Sequence, residues 1–214
     1  METGMTPAEI ETLFDRGDAG YVFARWGRPL APVVFGVQEQ TLGVIKGAFE
    51  AIVALAGHNM AEVDPELGSN VMVFFLRDWD ELLAVPDLAH MLGDLPDLVA
   101  RLNGGDASQY RTFRFDDGGA IRAAFVFLRM RGALAEMAAE DLALSQAVQV
   151  MLLWSDQAFA EVSPLAVAHG QTILRPEIAG VIRAAYDPVM PAAARDASHA
   201  LRLSARLAAG EGAQ

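Results

Sequence analysis

Apolar positions in the first third of the chain follow strand and helix patterns in turn. Residues 31–37 are rich in β-branched side chains and residues 70–76 form a continuous apolar run, so both segments are predicted to be strands. Between them, apolar residues recur at helical period over residues 38–57, which predicts a long amphipathic helix. The segment Thr-Pro-Ala-Glu at residues 6–9 has the pattern of a capping box and predicts a short helix that ends near residue 16.

The strongest hairpin pattern lies near the middle of the chain. Residues 110–115 alternate between apolar and polar side chains, residues 116–119 (Asp-Asp-Gly-Gly) predict a turn, and residues 120–129 return as a second strand. Phe125 and Phe127 belong to this second strand, which is apolar on both faces. That pattern favours a strand in the core.

The last part of the chain is predicted to be mainly helical. Pro86 and Pro96 break residues 79–102 into short helices. After the hairpin we expect a helix at 137–154, an irregular stretch at 155–174, helices at 176–186 and 192–209, and a frayed tail at 210–214. This order predicts a single α+β domain, with an α/β upper part over residues 20–154 and a helical lower part over residues 155–209.

Composition narrows the classes of function. Of the 214 residues, 53% are hydrophobic and 21% are charged, which is typical of a packed globular protein. The net charge of −12 argues against nucleic acids and anionic membranes as partners, because both require a basic surface. The absence of cysteine excludes disulfides and thiolate metal sites. There is no apolar run of about 20 residues and no signal-peptide pattern, so we expect a soluble, cytoplasmic protein, or a periplasmic one if an export leader precedes this sequence.

The most informative segment is the helix that follows the hairpin. Its second half contains Ser145-Gln146-x-x-Gln149-x-x-Leu152-x-x-x-Asp156. This spacing, directly after a hairpin, resembles the zinc-binding helix of zincin peptidases, where His-Glu-x-x-His-x-x-Gly holds the metal. The alternative interpretation is an ordinary helix that carries two glutamines.

Two further segments resemble the same group of proteins. Residues 117–127 are similar to the strand that enters the active site, and residues 174–188 to the helix that follows the methionine turn of metzincins. Residues 163–165 stand where that turn would lie. Over residues 33–209 the chain therefore resembles a bacterial, metzincin-related family of unknown function. The resemblance implies a zincin-like fold, with a mixed sheet, a backing helix, an edge β-hairpin, an active-site helix and a helical C-terminal half.

The departures from the zincin pattern decide the expected activity. Ser145 and Gln149 stand at the two histidine positions, and Gln146 stands at the position of the glutamate base. Serine is a poor zinc ligand, and a neutral amide does not act as a general base at neutral pH. Leu152 replaces the glycine, and Asp156 matches an acidic third ligand. One carboxylate does not hold zinc, so we expect no catalytic residues, no bound metal and no other cofactor.

The leading hypothesis is a degenerate metallopeptidase-like domain that does not catalyse. It would bind a peptide or protein partner in the former active-site cleft, by strand addition to the edge hairpin and by hydrogen bonds from glutamine amides. An open, polar cleft above Gln149 would support this hypothesis, whereas a cleft filled by Trp154 or Met151 would contradict it. The candidate cleft residues are Ser145, Gln146, Gln149 and Asp156.

Other hypotheses stay open at this point. One is a hydrolase of another class that uses Asp156 with a distant histidine, and another is a structural subunit that forms homo-oligomers. A composite metal site could join His58, His169 and Asp156, although no two of the four histidines have the spacing of a local metal pair. The sequence contains no nucleophile elbow and no phosphate-binding glycine loop. The acidic clusters near Asp78 and at residues 116–119 are expected to cap a helix and to form the hairpin turn.

Overall fold

A mixed four-stranded sheet forms the centre of the structure, a computed structural model that describes residues 5–211. The strands are β1 (Phe23–Ala24), β2 (Pro32–Phe35), β3 (Val71–Leu76), β4 (Gln109–Phe115), β5 (Ile121–Arg129), β6 (Leu165–Ala168), β7 (Gln171–Leu174) and β8 (Ala193–Ala194). The order in the central sheet is β2-β3-β5-β4. β2, β3 and β5 are parallel, and β4 runs antiparallel to β5 at the edge. The predicted central hairpin is therefore confirmed.

The register of the sheet places β5 between two partners. Val126 lies opposite Val73 of β3 on one side and opposite Arg111 of β4 on the other. Apart from the half-exposed Arg122, β5 is buried along its whole length. The prediction that Phe125 and Phe127 belong to a core strand is confirmed, because both side chains are buried.

Helices cover both faces of this sheet. The α-helices are α1 (Pro7–Thr12), α2 (Glu39–Leu55), α3 (Leu88–Leu92), α4 (Leu95–Gly104), α5 (Ala133–Glu136), α6 (Ala139–Met151), α7 (Pro176–Ala185) and α8 (Ser198–Glu211), with short 3-10 helices at Gly17–Ala19 and Trp79–Ala84. α2 connects the parallel strands β2 and β3 and packs against α6. Within residues 5–211, no helix combines the length and the apolar character that crossing a bilayer requires. The capping box predicted at residues 6–9 is present at the start of α1.

Two apolar clusters lie on opposite faces of the central sheet. On the face that carries α2 and α6, which we call the α6 face, Val73, Val126 and Leu128 join the larger cluster. On the opposite face, which we call the α4 face, Phe74 and Phe127 pack with residues of the 3-10 helix Trp79–Ala84 and of α3 and α4. Because consecutive strand residues point to opposite faces, one apolar strand such as β5 contributes to both clusters. The predicted α+β class is confirmed.

The prediction for one segment of the helical lower part is wrong. Residues 155–174 are not irregular throughout, because β6 and β7 pair as an antiparallel hairpin. His169 and Gly170 form its two-residue turn with positive φ values of 52° and 76°. Such φ values are those of a type I′ turn, which matches the twist of the two strands.

The predicted last helix is also wrong at both ends. Residues 193–194 form β8, which pairs with β1, so α8 begins only at Ser198. α8 then continues to Glu211, through two residues that were predicted to be part of a frayed tail. The rest of that tail, residues 212–214, lies outside the described residues. The helix predicted at residues 176–186 agrees with α7 to within one residue.

Candidate functional site

A cleft of about 990 Å³ opens on the α6 face beside the outer edge of β4. β4 supplies one wall, and the end of α6 with the loop that follows it supplies the other. Residues of β1 and β8 also line the cleft. The residues that line the cleft include Gln109, Arg111, Phe113, Gln149, Trp154 and Asp156.

Strand alternation directs Arg111 to the α6 face. Its opposite residue on β5 is Val126, which belongs to the apolar cluster of that face. The neighbouring residue Thr112 lies opposite Phe125, which belongs to the cluster of the α4 face. On β4, therefore, Gln109, Arg111 and Phe113 point towards α6.

Arg111 joins β4 to α6 through two glutamines. Its Nη2 donates to Oε1 of Gln146 at 2.6 Å, and its Nη1 donates to Oε1 of Gln149 at 3.1 Å. The two glutamines are three residues apart, so they lie on the same side of α6 one turn from each other. Gln149 Nε2 also donates to Ser145 Oγ at 2.9 Å. Ser145, Gln146 and Gln149 are thus linked to one another and to a guanidinium group.

The charge of Arg111 has no anionic partner within residues 5–210, whose side chains the structure describes. Its hydrogen bonds go to neutral amides, and its enclosed Nε meets no acceptor. Burial alone lowers the pKa of the guanidinium to about 10. The group is still protonated at neutral pH, so the cleft wall holds a fixed positive charge.

The structure places the four candidate cleft residues at different depths. Gln149 and Asp156 line the main cleft. Gln146 is buried beneath it with 3% of its surface exposed, and Ser145 lies on the side of α6 towards β6 and β7. Of the four candidate residues, Gln149 and Asp156 thus line the main cleft, and Gln146 and Ser145 do not. Both remain connected to the cleft through hydrogen bonds with Arg111 and Gln149.

Asp156 lies at the rim of the cleft. Its side chain is 90% exposed and its carboxylate is 3.7 Å from Nη1 of Arg16. Arg16 also donates through Nη2 to the carbonyl oxygen of Trp154 at 2.6 Å. An exposed ion pair of this kind contributes little to stability. Asp156 is thus a rim group with its own cation rather than a partner of Arg111.

The cleft above Gln149 is open. Trp154 turns into the core, where its ring stacks on Phe14 at a centroid distance of 5.4 Å and its Nε1 donates to Val148 O at 3.0 Å. Met151 is fully buried. α6 ends at Met151, and Leu152 continues in an extended conformation, so the chain leaves the helix here without a glycine. Neither of the two side chains that could have closed the cleft does so.

The composite metal site is not assembled. His58 Nε2 contacts Arg28 O at 2.9 Å and its ring lies 5.0 Å from that of Tyr186, while His169 sits in the turn between β6 and β7. Burial lowers the pKa of His58. In the part of the chain that the structure describes, no three histidine or carboxylate side chains come together as metal ligands would.

The acidic clusters have the structural roles predicted for them. Oδ1 of Asp116 accepts hydrogen bonds from the N–H groups of Gly118 and Ala120 and so stabilises the hairpin turn. Asp78 caps the 3-10 helix Trp79–Ala84. The Asp116 carboxylate is held by backbone N–H groups and the Asp78 carboxylate pairs with Arg131, so the two are not arranged as an acid–base pair.

Sequence patterns singled out the two glutamines but not Arg111. The relevant signal is the alternation of residues 110–115, which places Arg111 and Phe113 on one face of the strand. That signal does not show which helix the face meets. The contact between β4 and α6 spans 35 residues and depends on the tertiary structure.

Comparison of this chain with known protein families, with curated proteins and with solved structures found no match.

Proposed function

We propose that this protein is a degenerate metallopeptidase-like domain that binds an extended peptide, or an extended segment of a protein, without cleaving it. The ligand lies in the cleft between β4 and α6. The observation that carries this proposal is an open cleft beside the outer edge of β4, with amides in place of metal ligands.

The arrangement of the sheet supports a zincin-like interpretation. A zincin-like fold has an edge hairpin whose outer strand lies beside the active-site helix. Here β4 is the outer antiparallel strand, and α6, with Gln146 and Gln149, follows the hairpin in the chain. A guanidinium, held by Gln146 and Gln149, stands between strand and helix. This replacement supports the loss of zinc chemistry.

The outer edge of β4 offers backbone groups for strand addition. Within residues 5–211, β5 is the only strand that pairs with β4. Arg129 N–H donates to Ser108 O at 2.8 Å at one end of the ladder. Because hydrogen-bonded pairs alternate along an antiparallel ladder, the backbone groups of Gln109, Arg111 and Phe113 point to the outer edge. An extended peptide can accept from and donate to these groups.

Strand addition is tested with a matched pair of variants at the exposed start of β4. Peptides are selected from a random displayed library, and the dissociation constant of one selected peptide is measured by calorimetry. Gln109→Pro removes the N–H group on the outer edge, whereas Gln109→Ala removes only the side chain. Loss of one hydrogen bond predicts about tenfold weaker binding to the proline variant than to the alanine variant.

A second measurement uses the peptide itself. N-methylation of every second residue of the selected peptide in one register should abolish binding, and N-methylation in the other register should not. Equal affinity of both methylated peptides, together with equal affinity of both Gln109 variants, would show that the peptide does not add a strand.

The loss of metal binding is tested separately. Untagged protein is dialysed against zinc, and its metal content and its midpoint of thermal unfolding are measured. We expect no stoichiometric zinc and no shift of the midpoint, since a specific site at a hundred times its dissociation constant would stabilise the fold by about 2.7 kcal/mol. One zinc per chain with such a shift would contradict the proposal.

The other two hypotheses have less support. All four histidines lie in the described part of the chain, and none of them lines the cleft that holds Asp156. A hydrolase that pairs Asp156 with a histidine therefore has no geometric basis here. Homo-oligomerisation stays a prediction, and the mass of the protein in solution over a range of concentrations tests it.

A further inference from the structure

The arginines of this chain differ in how their charges are balanced. Arg28, Arg129 and Arg175 each have a carboxylate within ion-pair distance. Arg111 has none among the described residues, although it is the arginine whose pKa burial lowers to about 10. A partly buried cation without a counter-ion is unfavourable, because the hydration that it has lost is not compensated by an opposite charge.

The guanidinium of Arg111 is held in place and still has donors to offer. An arginine side chain carries five N–H groups, two on each Nη and one on Nε. Gln146 and Gln149 accept one N–H from each Nη. One N–H on each Nη is left, and these are two donors that a planar carboxylate can accept with its two oxygens. The glutamines fix the orientation without neutralising the charge, so a ligand would meet a pre-organised site.

The other charged side chains of the cleft do not form ion pairs with Arg111. Arg16 and Asp156 form their own pair at the rim, and Asp116 is held by the backbone of the hairpin turn. The cleft is lined by three arginines and three aspartates, while the whole chain has a net charge of −12. The formal charges at the cleft therefore balance, so the cleft repels an anion less than the strongly acidic protein as a whole does.

We infer that the cleft binds a ligand through a carboxylate group, and that Arg111 is the residue that holds it. This inference rests on the proposed function, since a cleft of about 990 Å³ is larger than a simple carboxylic acid and suits a peptide. The carboxylate belongs either to the C-terminus of the peptide or to an aspartate or glutamate side chain. Both sources present the same two oxygens to Nη1 and Nη2.

The test uses three synthetic peptides of one length. The first is acetyl-tetra-alanine with a free C-terminal carboxylate, the second is its C-terminal amide, and the third is the amide with glutamate at the third position. Binding is followed by NMR through the backbone and the guanidinium N–H resonances of the full chain. We expect the first or the third peptide to bind and the second to bind at least about tenfold more weakly. The arm that binds identifies the source of the carboxylate.

Two matched variants assign the effect to Arg111. Arg111→Met should lower the affinity for the carboxylate peptide by about thirtyfold or more, because one partner of the charge pair between protein and peptide is removed. Arg114→Met removes the same charge from the same strand on the α4 face and should leave binding unchanged. Arg111→Lys keeps the charge without the planar fork, and it should still prefer the carboxylate peptide to the amide with reduced affinity. Arg111→Lys also serves if Arg111→Met does not fold.

The outcomes separate this inference from the proposed function. If the acid and the amide bind equally and binding remains sensitive to N-methylation, the carboxylate site is wrong and strand addition stands. If the acid binds at Arg111 but N-methylation has no effect, strand addition is wrong and the carboxylate site stands. Absence of binding by all three peptides, or an equal loss in Arg111→Met and Arg114→Met, would overturn the inference.

Discussion

Arg111 and Arg114 lie on the same strand and face opposite sides of the sheet. Arg114 donates through Nη2 to the carbonyl oxygen of Met91 at 2.8 Å, and its guanidinium lies over the ring of Phe125 at 5.9 Å. A backbone carbonyl of the neighbouring helix α3 thus accepts a hydrogen bond from its guanidinium group. Arg111 instead contacts two side-chain amides that line or lie beneath an open cleft. The α4 face uses its arginine to complete packing, whereas the α6 face presents its arginine to a space that a ligand can enter.

The same contrast extends to the apolar residues of the two faces. On the α4 face, Phe127 is fully buried and stacks on Phe74 at a centroid distance of 5.1 Å. On the α6 face, Phe113 of β4 is half-buried at the wall of the cleft. A face that is closed by packing gains stability, and a face that is left open gives up part of that gain. We therefore expect Arg111 and Phe113 of β4 to face a ligand, and the side chains of β4 and β5 on the α4 face to contribute to stability alone.

The largest expected effect tests the closed face. Phe127→Ala should lower the free energy of unfolding by about 3–5 kcal/mol, because it leaves a cavity among packed aromatic rings. Phe113→Ala should cost less, since its side chain is partly exposed already. Both are measured by chemical denaturation. A smaller loss for Phe127→Ala than for Phe113→Ala would reverse the comparison of the two faces.

The free energy of unfolding is expected to depend on pH because His199 is buried. Burial, with a smaller contribution from the charge of Arg202, lowers the pKa of His199 to about 4, below its usual value of 6.5. Nδ1 of His199 lies 2.8 Å from the hydroxyl oxygen of Tyr21. The unfolded chain therefore takes up a proton at higher pH than the folded chain, so stability is retained above pH 6.5 and falls as the pH decreases from about 6.5 to about 4. The loss should be of the order of 1–3 kcal/mol.

His199→Gln provides the control for this pH effect, because the amide can keep a hydrogen bond to Tyr21 and does not titrate in this range. Free energies of unfolding are measured for both proteins between pH 4 and pH 8. The wild-type protein should lose more stability than the variant on acidification. Parallel curves for the two proteins would assign the acid sensitivity to carboxylates elsewhere.

Substitutions in the hydrogen-bond network around Arg111 should lower the free energy of unfolding by less than Phe127→Ala does. Gln146→Leu removes the shorter of the two hydrogen bonds of Arg111 and leaves a partly buried cation with fewer partners, so we expect a loss of about 1–3 kcal/mol in denaturation experiments. Gln149→Leu, at the exposed wall of the cleft, should cost less than about 1 kcal/mol. If the two variants lost the same free energy of unfolding, the deeper burial of Gln146 would not contribute more to stability than the position of Gln149 at the cleft wall.

The smallest expected effect lies at Arg114. Its carbonyl partners become accessible to water when the side chain is shortened, so Arg114→Met should change the free energy of unfolding by no more than about 0.5 kcal/mol. The same denaturation measurement applies. A loss comparable to that of Phe127→Ala would show that this arginine is a central part of the packing on the α4 face.

The central sheet and its helices were largely predictable from local patterns. The alternation of residues 110–115, the Asp-Asp-Gly-Gly turn and the helical period of residues 38–57 each depend on neighbours in sequence. The observed elements β4, β5 and α2 follow these predictions closely. Periodicity reports which face of an element is apolar, and that was enough to predict the α+β class.

The remaining elements are specified by very short segments or by contacts between residues that are far apart in the sequence. β6 and β7 are four residues each, and their turn at His169 and Gly170 was the one local sign of a hairpin. β1 and β8 have two residues each and are defined only by their mutual pairing. The position of Arg111 between Gln146 and Gln149 likewise follows from a tertiary contact, which no periodicity in the sequence contains.

The pairing of β1 with β8 has a consequence for biosynthesis. Tyr21 meets His199, a residue 178 positions further along the chain, and α1 packs on α8. During translation, the segment with α1 and β1 leaves the ribosome long before its partners are made. Phe14, Phe23 and Ile10, which are fully or almost fully buried in the native fold, stay exposed for that period. At a synthesis rate of about 5–20 residues per second, this wait lasts on the order of ten seconds or more, so we expect chaperones to bind the early segment during synthesis.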